Sequence, residues 1–194
     1  TIMQIVTLTT DFGLDDYYVA LMKGALLRQT ADLQIIDISH NIKQFDIVQG
    51  AFVLKNTYPS FPRGTIHIVT INNSDSGRSF ICLDQDGQFF IGPDNGIFSL
   101  IFPNMPEAWR LDPLEESPFS IQTALATAVA HLAAGKPLYE VGLPAGEVVQ
   151  RIAWQPVLSA SQIRGSVIYV DHYENVTINI TKELFEKVRN GRRF

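Results

Sequence analysis

The feature that most constrains the fold is a β-branched run that breaks at a polar turn and passes directly into a helical pattern. The run covers Ile2 to Leu8, the turn is TTDFG at residues 9–13, and three carboxylates follow at Asp11, Asp15 and Asp16. In an α/β protein such a junction lies outside the carboxyl end of a strand, where ligands bind. Aspartate also serves as a helix cap or turn residue at such positions, so spacing alone leaves both roles open.

The same alternation of strand, loop and helix recurs along the chain. Apolar strands are predicted at residues 33–38 and 65–71, with a helix over residues 45–56 between them. This order predicts an α/β domain with a central, mostly parallel sheet flanked by helices. The core face of the helix is predicted to consist of Phe45, Val48, Phe52 and Leu54.

The second half of the chain changes character. A hairpin is predicted around the turn Asp84 to Gly87, and a helix over residues 123–134. Residues 142–161 contain prolines and glycines and are interpreted as a linker. We therefore expect an N-terminal domain over residues 1–155 and the beginning of a smaller C-terminal β domain over residues 156–194. Two strands and a helix do not make a stable sheet domain, so the second domain is expected to be incomplete.

Composition narrows the possible partners. The formal net charge of -5 at pH 7 argues against nucleic acid, because a phosphate backbone requires a basic surface. No apolar stretch reaches the roughly 20 residues of a membrane span, so no membrane partner is expected. Cys82 is the single cysteine and excludes a disulfide within the chain, which favours a cytoplasmic location.

Three polar junctions support two chemical interpretations. Residues 11–16, 37–40 and 72–78 would open on one edge of a parallel sheet. A carboxylate there can accept hydrogen bonds from the ribose diol of a nucleoside. Alternatively, Asp11, Asp37 and His40 could bind a divalent metal for hydrolysis, although no ligand spacing typical of a metal site supports this. The sequence has no glycine-rich phosphate loop, and no cofactor is expected.

Six motifs follow one another along the chain: TTDFG at 9–13, DISH at 37–40, FPRGTI at 61–66, PDNG at 93–96, AHLAAG at 130–135 and DHYENV at 171–176. In this order they resemble those of the S-adenosyl-L-methionine (SAM) hydroxide adenosyltransferases, the SAM hydrolases that release adenosine. Fluorinases and chlorinases are relatives in the same superfamily. The resemblance implies hydrolysis of SAM to adenosine and methionine by water attack at C5′, with SAM as substrate and no cofactor. It also implies a homotrimer whose pocket lies between the N-terminal domain of one subunit and the C-terminal domain of the next.

The resemblance also implies which residues bind the substrate. Asp11 and Asp16 match the positions that hold the ribose hydroxyls, and Phe45 matches an aromatic residue that packs along the ligand. Phe119 matches another apolar wall of the pocket. Tyr173 and Asn175 match the aromatic and amide side chains that meet adenine and the methionine end across the subunit boundary.

Two departures from the family pattern affect the expected chemistry. The hydrolases share an Asp-Arg-His trio that activates water, and here Asn72 and Ser120 replace its acid and its histidine, while Arg78 matches its arginine. An amide and a hydroxyl do not take up a proton near neutral pH, so weak or lost activity is expected. Asp75 is the nearby carboxylate that could substitute, and Ile121 replaces the halide-contacting serine of fluorinases.

Two alternatives to hydrolysis of SAM therefore remain. One is a non-catalytic relative that binds SAM or adenosine, or that serves as an oligomeric module. The other is the metal-dependent hydrolase described above.

Overall fold

A computed structural model describes residues 3–73, 79–111 and 120–193, and its main element is a mixed sheet. Among the described residues this sheet has seven strands in the order β2-β1-β3-β5-β4-β6-β7. Strands β2, β1, β3 and β5 run parallel, and β4, β6 and β7 each pair antiparallel with a neighbour. The strands are β1 Gln4–Thr10, β2 Leu33–Ser39, β3 Ile66–Thr70, β4 Phe80–Gln85, β5 Gln88–Pro93, β6 Ala108–Leu111 and β7 Gly142–Pro144.

Helices cover both faces of this sheet, which confirms the predicted α/β fold. They are α1 Tyr18–Gln29, α2 Ile47–Thr57, α3 Ile97–Ile101 and α4 Ser120–Ala133, with 3₁₀ turns at Tyr58–Ser60 and Leu138–Glu140. Strand β3 shows why two cores form. Its Ile66 and Ile68 pack with α1 and α4, while Val69 and the following Ile71 pack with α2 and α3. Neighbouring side chains of a strand point to opposite faces, so a fully buried strand supplies both cores.

The predicted hairpin forms between β4 and β5. Its two-residue loop is Asp86-Gly87, with φ angles of 55° and 80°. Two positive φ angles define the turn that matches the twist of paired strands, and Asp-Gly is among its preferred sequences. The Asp84 carboxylate accepts a hydrogen bond from the Gly87 amide at 2.7 Å and fixes the turn.

The predicted start and core face of α2 are wrong in part. The helix begins at Ile47 because Phe45 has a φ of 65°, and the Asp46 carboxylate caps it by accepting from the Gln49 amide at 2.9 Å. Leu54 is buried as expected, but Phe45 is 57% exposed and Val48 is 44% exposed. The buried face consists of Ile47, Gly50, Ala51 and Leu54.

The predicted linker also needs correction. Gly142–Pro144 is the edge strand β7, paired with β6, and Pro144 is tolerated because it ends an edge strand. The next residues remain bonded to the same body, with the Val149 amide donating to Asp94 and the Arg151 amide to Ser99. The chain divides into two units, Thr1–Arg151 and Ile152–Phe194. That the second unit begins a larger β domain stays a prediction.

The second unit contains two small antiparallel ribbons and one helix. The elements are β8 Val157–Leu158, β9 Ile163–Arg164, β10 Val167–Val170, β11 Val176–Ile178 and α5 Lys182–Arg189. Thr181 caps α5 by accepting a hydrogen bond from the Leu184 amide at 3.2 Å. In the described part of the chain, every helix is too short or too polar to cross a membrane.

Candidate functional site

Three loops meet at the carboxyl edge of the parallel strands. Strand β1 lies between β2 and β3 and runs parallel to both, so the loops that follow Thr10, Ser39 and Thr70 emerge side by side. This is the edge at which α/β proteins bind ligands. The polar junctions that follow β1, β2 and β3 in the sequence therefore start side by side at this edge, the third being described as far as residue 73.

Asp11 joins the three loops. Its Oδ2 accepts hydrogen bonds from the Phe45 amide at 3.0 Å and from the Asn72 amide at 3.2 Å. These partners lie 34 and 61 residues away in the sequence. Within the described residues, the second oxygen of Asp11, Oδ1, accepts no hydrogen bond. One oxygen therefore organises the edge, and the other remains available to a ligand.

Both residues that donate to Asp11 have left-handed backbones. Phe45 has a φ of 65° and Asn72 a φ of 51°. Asparagine adopts this region more readily than most residues, whereas phenylalanine rarely does. Hydrogen bonds to a carboxylate contribute about 1.5–3 kcal/mol each, which is enough to offset strain of this size. The result is an exposed Phe45 ring at the edge of the site.

A layer of polar side chains around the buried His40 supports the turn that carries Asp11, with Asp37 and Lys23 at its partly exposed rim. Thr10 Oγ1 is 2.9 Å from His40 Nδ1, and the His40 carbonyl accepts from the Gly13 amide at 2.7 Å. His40 Nε2 lies 3.0 Å from Asp37 Oδ1, and Lys23 Nζ lies 2.6 Å from Asp37 Oδ2. Partial burial alone would raise the pKa of Asp37, but the Lys23 ammonium and the His40 ring together hold it below its ordinary value. This layer fixes the turn that carries Asp11.

The predicted metal set does not converge on an open site. His40 Nδ1 lies against Thr10, and the two Asp37 oxygens face Lys23 and His40. Among the described residues, no three His, Cys, Asp or Glu side chains form a group that could hold a metal ion. The described geometry therefore gives the metal-dependent hydrolase no support.

The turn after β5 contributes a residue that sequence reasoning missed as part of the site. Asn95 is 1% exposed, and its Nδ2 donates to the Ile71 carbonyl at 2.8 Å and to the Asn72 carbonyl at 3.2 Å. Its Oδ1 accepts from the Ile97 amide at 3.2 Å. The sequence shows this turn only as the motif PDNG at 93–96, and the long-range bonds to the β3 loop carry no local signal.

The other predicted substrate residue of this region, Asp16, lies in an exposed stretch just before α1. Its neighbours Tyr17 and Tyr18 are 62% and 43% exposed, and their rings contact each other at a centroid distance of 4.9 Å. The role of Asp16 in ribose binding stays a prediction.

Tyr173 and Asn175 lie together on the turn between β10 and β11. Asp171 Oδ1 accepts from the Tyr173 amide at 2.9 Å and the Asn175 amide at 2.8 Å, while its Oδ2 accepts from Asn175 Nδ2 at 2.8 Å. Hydrogen bonds from the Asn175 side chain and backbone hold the pKa of Asp171 below its ordinary value. The turn displays Tyr173 with its side chain 83% exposed.

Several predicted members of the water-activating set and of the substrate pocket lie outside the described residues. Arg78, Phe119 and the possible substitute Asp75 are in undescribed segments. Ser120 begins α4, but its side chain is likewise outside the described part. Asn72 lies among the described residues, and its amide donates to Asp11 at the edge of the site. It is therefore the member of the set whose contacts the structure describes.

These features define a class of α/β protein in which a candidate ligand site lies at the carboxyl edge of a mostly parallel sheet. Residues 6–142 match the family model described as the SAM hydroxide adenosyltransferase N-terminal domain. The chain belongs to this family, which confirms the resemblance drawn from its motifs.

Named relatives agree with this assignment. The (R)-S-adenosyl-L-methionine hydrolase of Methanocaldococcus jannaschii is 29% identical over 188 residues, covering 94% of this chain and 69% of the relative. A fluorinase of Nocardia brasiliensis is 28% identical, covering 96% of this chain and 74% of the relative. A crystal structure described as an uncharacterized conserved protein from Thermotoga maritima matches with a TM-score of 0.80 and 28% identity, covering 95% of this chain and 74% of that one.

Proposed function

We propose that the chain hydrolyses SAM to adenosine and methionine. Its family and its similarity to named SAM hydrolases support this reaction class. The observation that carries it is the geometry of Asp11, with Oδ2 held by two backbone amides and Oδ1 without a hydrogen bond in the described part. A carboxylate oxygen held in this way can accept hydrogen bonds from the ribose hydroxyls of SAM.

The reaction needs little covalent chemistry from the protein. Water attacks C5′ of the ribose, the C5′–sulfur bond breaks, and its electron pair stays on the sulfur of the departing methionine. The proton lost by the attacking water passes to solvent. Because the sulfonium is already a good leaving group, holding the ribose and the water in line supplies the main rate enhancement.

The residue at position 72 sets the expected rate. Asn72 can hydrogen-bond a water molecule but cannot accept its proton at neutral pH. General-base catalysis contributes about 10²–10⁴-fold where it operates, so turnover is expected to be slower than in relatives with the complete trio. Arg78 and Ser120 complete the proposed set around the water.

We also propose a homotrimer in which Tyr173 and Asn175 reach the site of a neighbouring subunit. Exposed apolar side chains occur around the candidate site, and contiguous exposed apolar surface marks ligand or protein contacts. They are Leu14, Tyr17, Tyr18, Phe45 and Val48, between 43% and 65% exposed. SAM acts as substrate with no further cofactor, and the proposed location is the cytoplasm.

The test is to incubate the protein with SAM and to quantify adenosine and methionine by chromatography. Asp11→Ala serves as the background control, and light scattering gives the oligomeric state of the same sample. Adenosine formation above the rate of Asp11→Ala supports the proposal. A rate equal to that of Asp11→Ala in a folded trimer contradicts it.

A binding protein without turnover is the second candidate function. The observation that favours it is the replacement of two members of the trio by Asn72 and Ser120. Calorimetry with SAM and with adenosine separates the two candidates. Binding of either ligand without product formation supports the binding protein, while product formation excludes it.

A further inference from the structure

The buried Asn95 amide joins the turn after β5 to the loop after β3. Its Nδ2 donates to the carbonyls of Ile71 and Asn72, and its Oδ1 accepts from the Ile97 amide at the start of α3. The side chain is 1% exposed, so water does not compete for these bonds. All the hydrogen-bonding groups of this side chain point into the fold, and two of the three bonds end on the site loop.

Asn72 is consequently held from both sides. Asp11 accepts a hydrogen bond from its amide at 3.2 Å, and Asn95 donates one to its carbonyl at 3.2 Å. Its φ of 51° places it in a region that needs support from the surrounding structure. Position 72 is where the family resemblance expects a water-activating group.

We propose that Asn95 is a positioning residue for the candidate site. Asn95 fixes the backbone at Asn72. It thereby sets the direction of the Asn72 side chain and of the Asn72 amide, which donates a hydrogen bond to Asp11. The structural part of this proposal stands on the hydrogen bonds alone. Its consequence for turnover rests on the proposed function.

Asparagine is required here because the position needs two N–H donors and one acceptor on a short side chain. Aspartate keeps the acceptor for Ile97 but, when ionised, faces two carbonyl oxygens without a donor. A buried carbonyl left without a partner is destabilising, and this loss favours release of a loop held in a strained conformation.

The same turn also holds the segment that ends the first unit. Arg151 Nε donates to the Asn95 carbonyl at 2.7 Å, and Asp94 Oδ1 accepts from the Val149 amide at 2.9 Å. Asp94 is 7% exposed and its Oδ2 lies 3.2 Å from the Arg110 guanidinium. Because Asp94 and the Asn95 carbonyl are both anchored in this way, Asn95 presents its amide from a fixed support.

The test compares Asn95→Asp and Asn95→Ser with wild type, with Asn56→Asp as a matched control. Asn56 lies on the exposed side of α2 and donates to Phe52, away from the site. Serine retains an oxygen for the Ile97 amide and is a good residue at a helix start, so this variant guards against misfolding. Hydrogen–deuterium exchange over residues 66–73 and steady-state kinetics with SAM are measured on the full chain.

We expect both Asn95 variants to exchange the Asn72 amide at least about tenfold faster, since about 1.4 kcal/mol corresponds to a factor of ten. We expect kcat to fall at least about fivefold with KM changed less than twofold, because position 72 faces the attacking water while Asp11 holds the ribose. Asn56→Asp should change neither quantity. Unchanged exchange at residues 71–73 in a folded Asn95→Ser protein overturns the proposal. If wild type shows no turnover, the proposed function fails, and faster exchange in the variants still supports the positioning role.

Discussion

Asp11 and Asp171 solve a similar structural problem in the two units with different consequences. In each, one carboxylate oxygen accepts hydrogen bonds from two backbone amides. The partners of Asp171 lie within four residues, whereas those of Asp11 lie 34 and 61 residues away. Asp171 shapes one turn, and Asp11 connects three loops of a sheet edge.

The second oxygens of the two carboxylates differ as well. Asp171 Oδ2 accepts from the Asn175 side chain at 2.8 Å, so both oxygens serve their own turn. Asp11 Oδ1 accepts no hydrogen bond from a described residue. Asp171 therefore serves to display two other residues, Tyr173 and Asn175. Asp11 supports the site and can also bind the ligand.

Asp11→Ala should have the largest effect. It removes the acceptor of two long-range amides and the proposed partner of the ribose. Losing about 3 kcal/mol of charge-assisted hydrogen bonding lowers turnover at least about 100-fold. Adenosine production measures the change, and the exposed neighbour Asp15→Ala should stay within about twofold of wild type. Equal losses in both variants would remove the distinction between Asp11 and the rest of the acidic turn.

Tyr173→Ala tests what the Asp171 turn displays. Stacking of an aromatic side chain on a base contributes about 1–3 kcal/mol, so we expect KM for SAM to rise about tenfold. Thermal stability should not change, because the side chain is 83% exposed. Tyr173→Phe keeps the ring and should retain the wild-type KM. A KM unchanged in the alanine variant would remove Tyr173 from the proposed site.

Asp171→Ala should have a smaller effect than Asp11→Ala or Tyr173→Ala. The variant keeps Tyr173 and Asn175 but loses the acceptor that orders their turn, and exposed hydrogen bonds contribute little. We expect KM to rise about threefold with kcat unchanged. Glu183→Gln, on the exposed surface of α5, is the control and should match wild type in the same kinetic assay. A loss as large as that of Asp11→Ala would mean that Asp171 is itself part of the site.

Acid should loosen the Asp171 turn only when the pH falls below the ordinary pKa of an aspartate. Because the pKa of Asp171 is held below its ordinary value of 3.8, the contribution of the turn to stability is complete above that value. It is lost only as the pH falls through the lower pKa of the folded state. The amide proton resonances of Tyr173 and Asn175 report this transition, which should be missing in Asp171→Asn. A midpoint at or above 3.8 would contradict the hydrogen-bond geometry.

The regular part of the fold could be predicted because its causes are local. Alternating and buried runs identified the strands, and Asp86-Gly87 has the sequence that a two-residue hairpin turn prefers. Thr181 similarly marks the start of α5. The six ordered motifs carried the family assignment, which the family match over residues 6–142 confirms.

The errors share a different cause. Phe45 reads as a helical core residue, but its amide bonds to Asp11, 34 residues away, and its positive φ keeps it out of α2. The sequence of Gly142–Pro144 resembles a linker, because this three-residue edge strand is defined only by its pairing with β6. Asn95 was missed as a residue of the site, since its bonds to Ile71 and Asn72 depend on strand order. Each error concerns a contact that only the assembled sheet creates.

Hydrolysis in water enriched in ¹⁸O tests the central claim most directly. The wild-type chain is incubated with SAM beside Asp11→Asn, and the products are analysed by mass spectrometry. Attack of water at C5′ predicts one ¹⁸O atom in the 5′-hydroxyl of adenosine and none in methionine, with the yield strongly reduced in Asp11→Asn. Unlabelled adenosine, or equal labelled yields from the two proteins, would contradict the account.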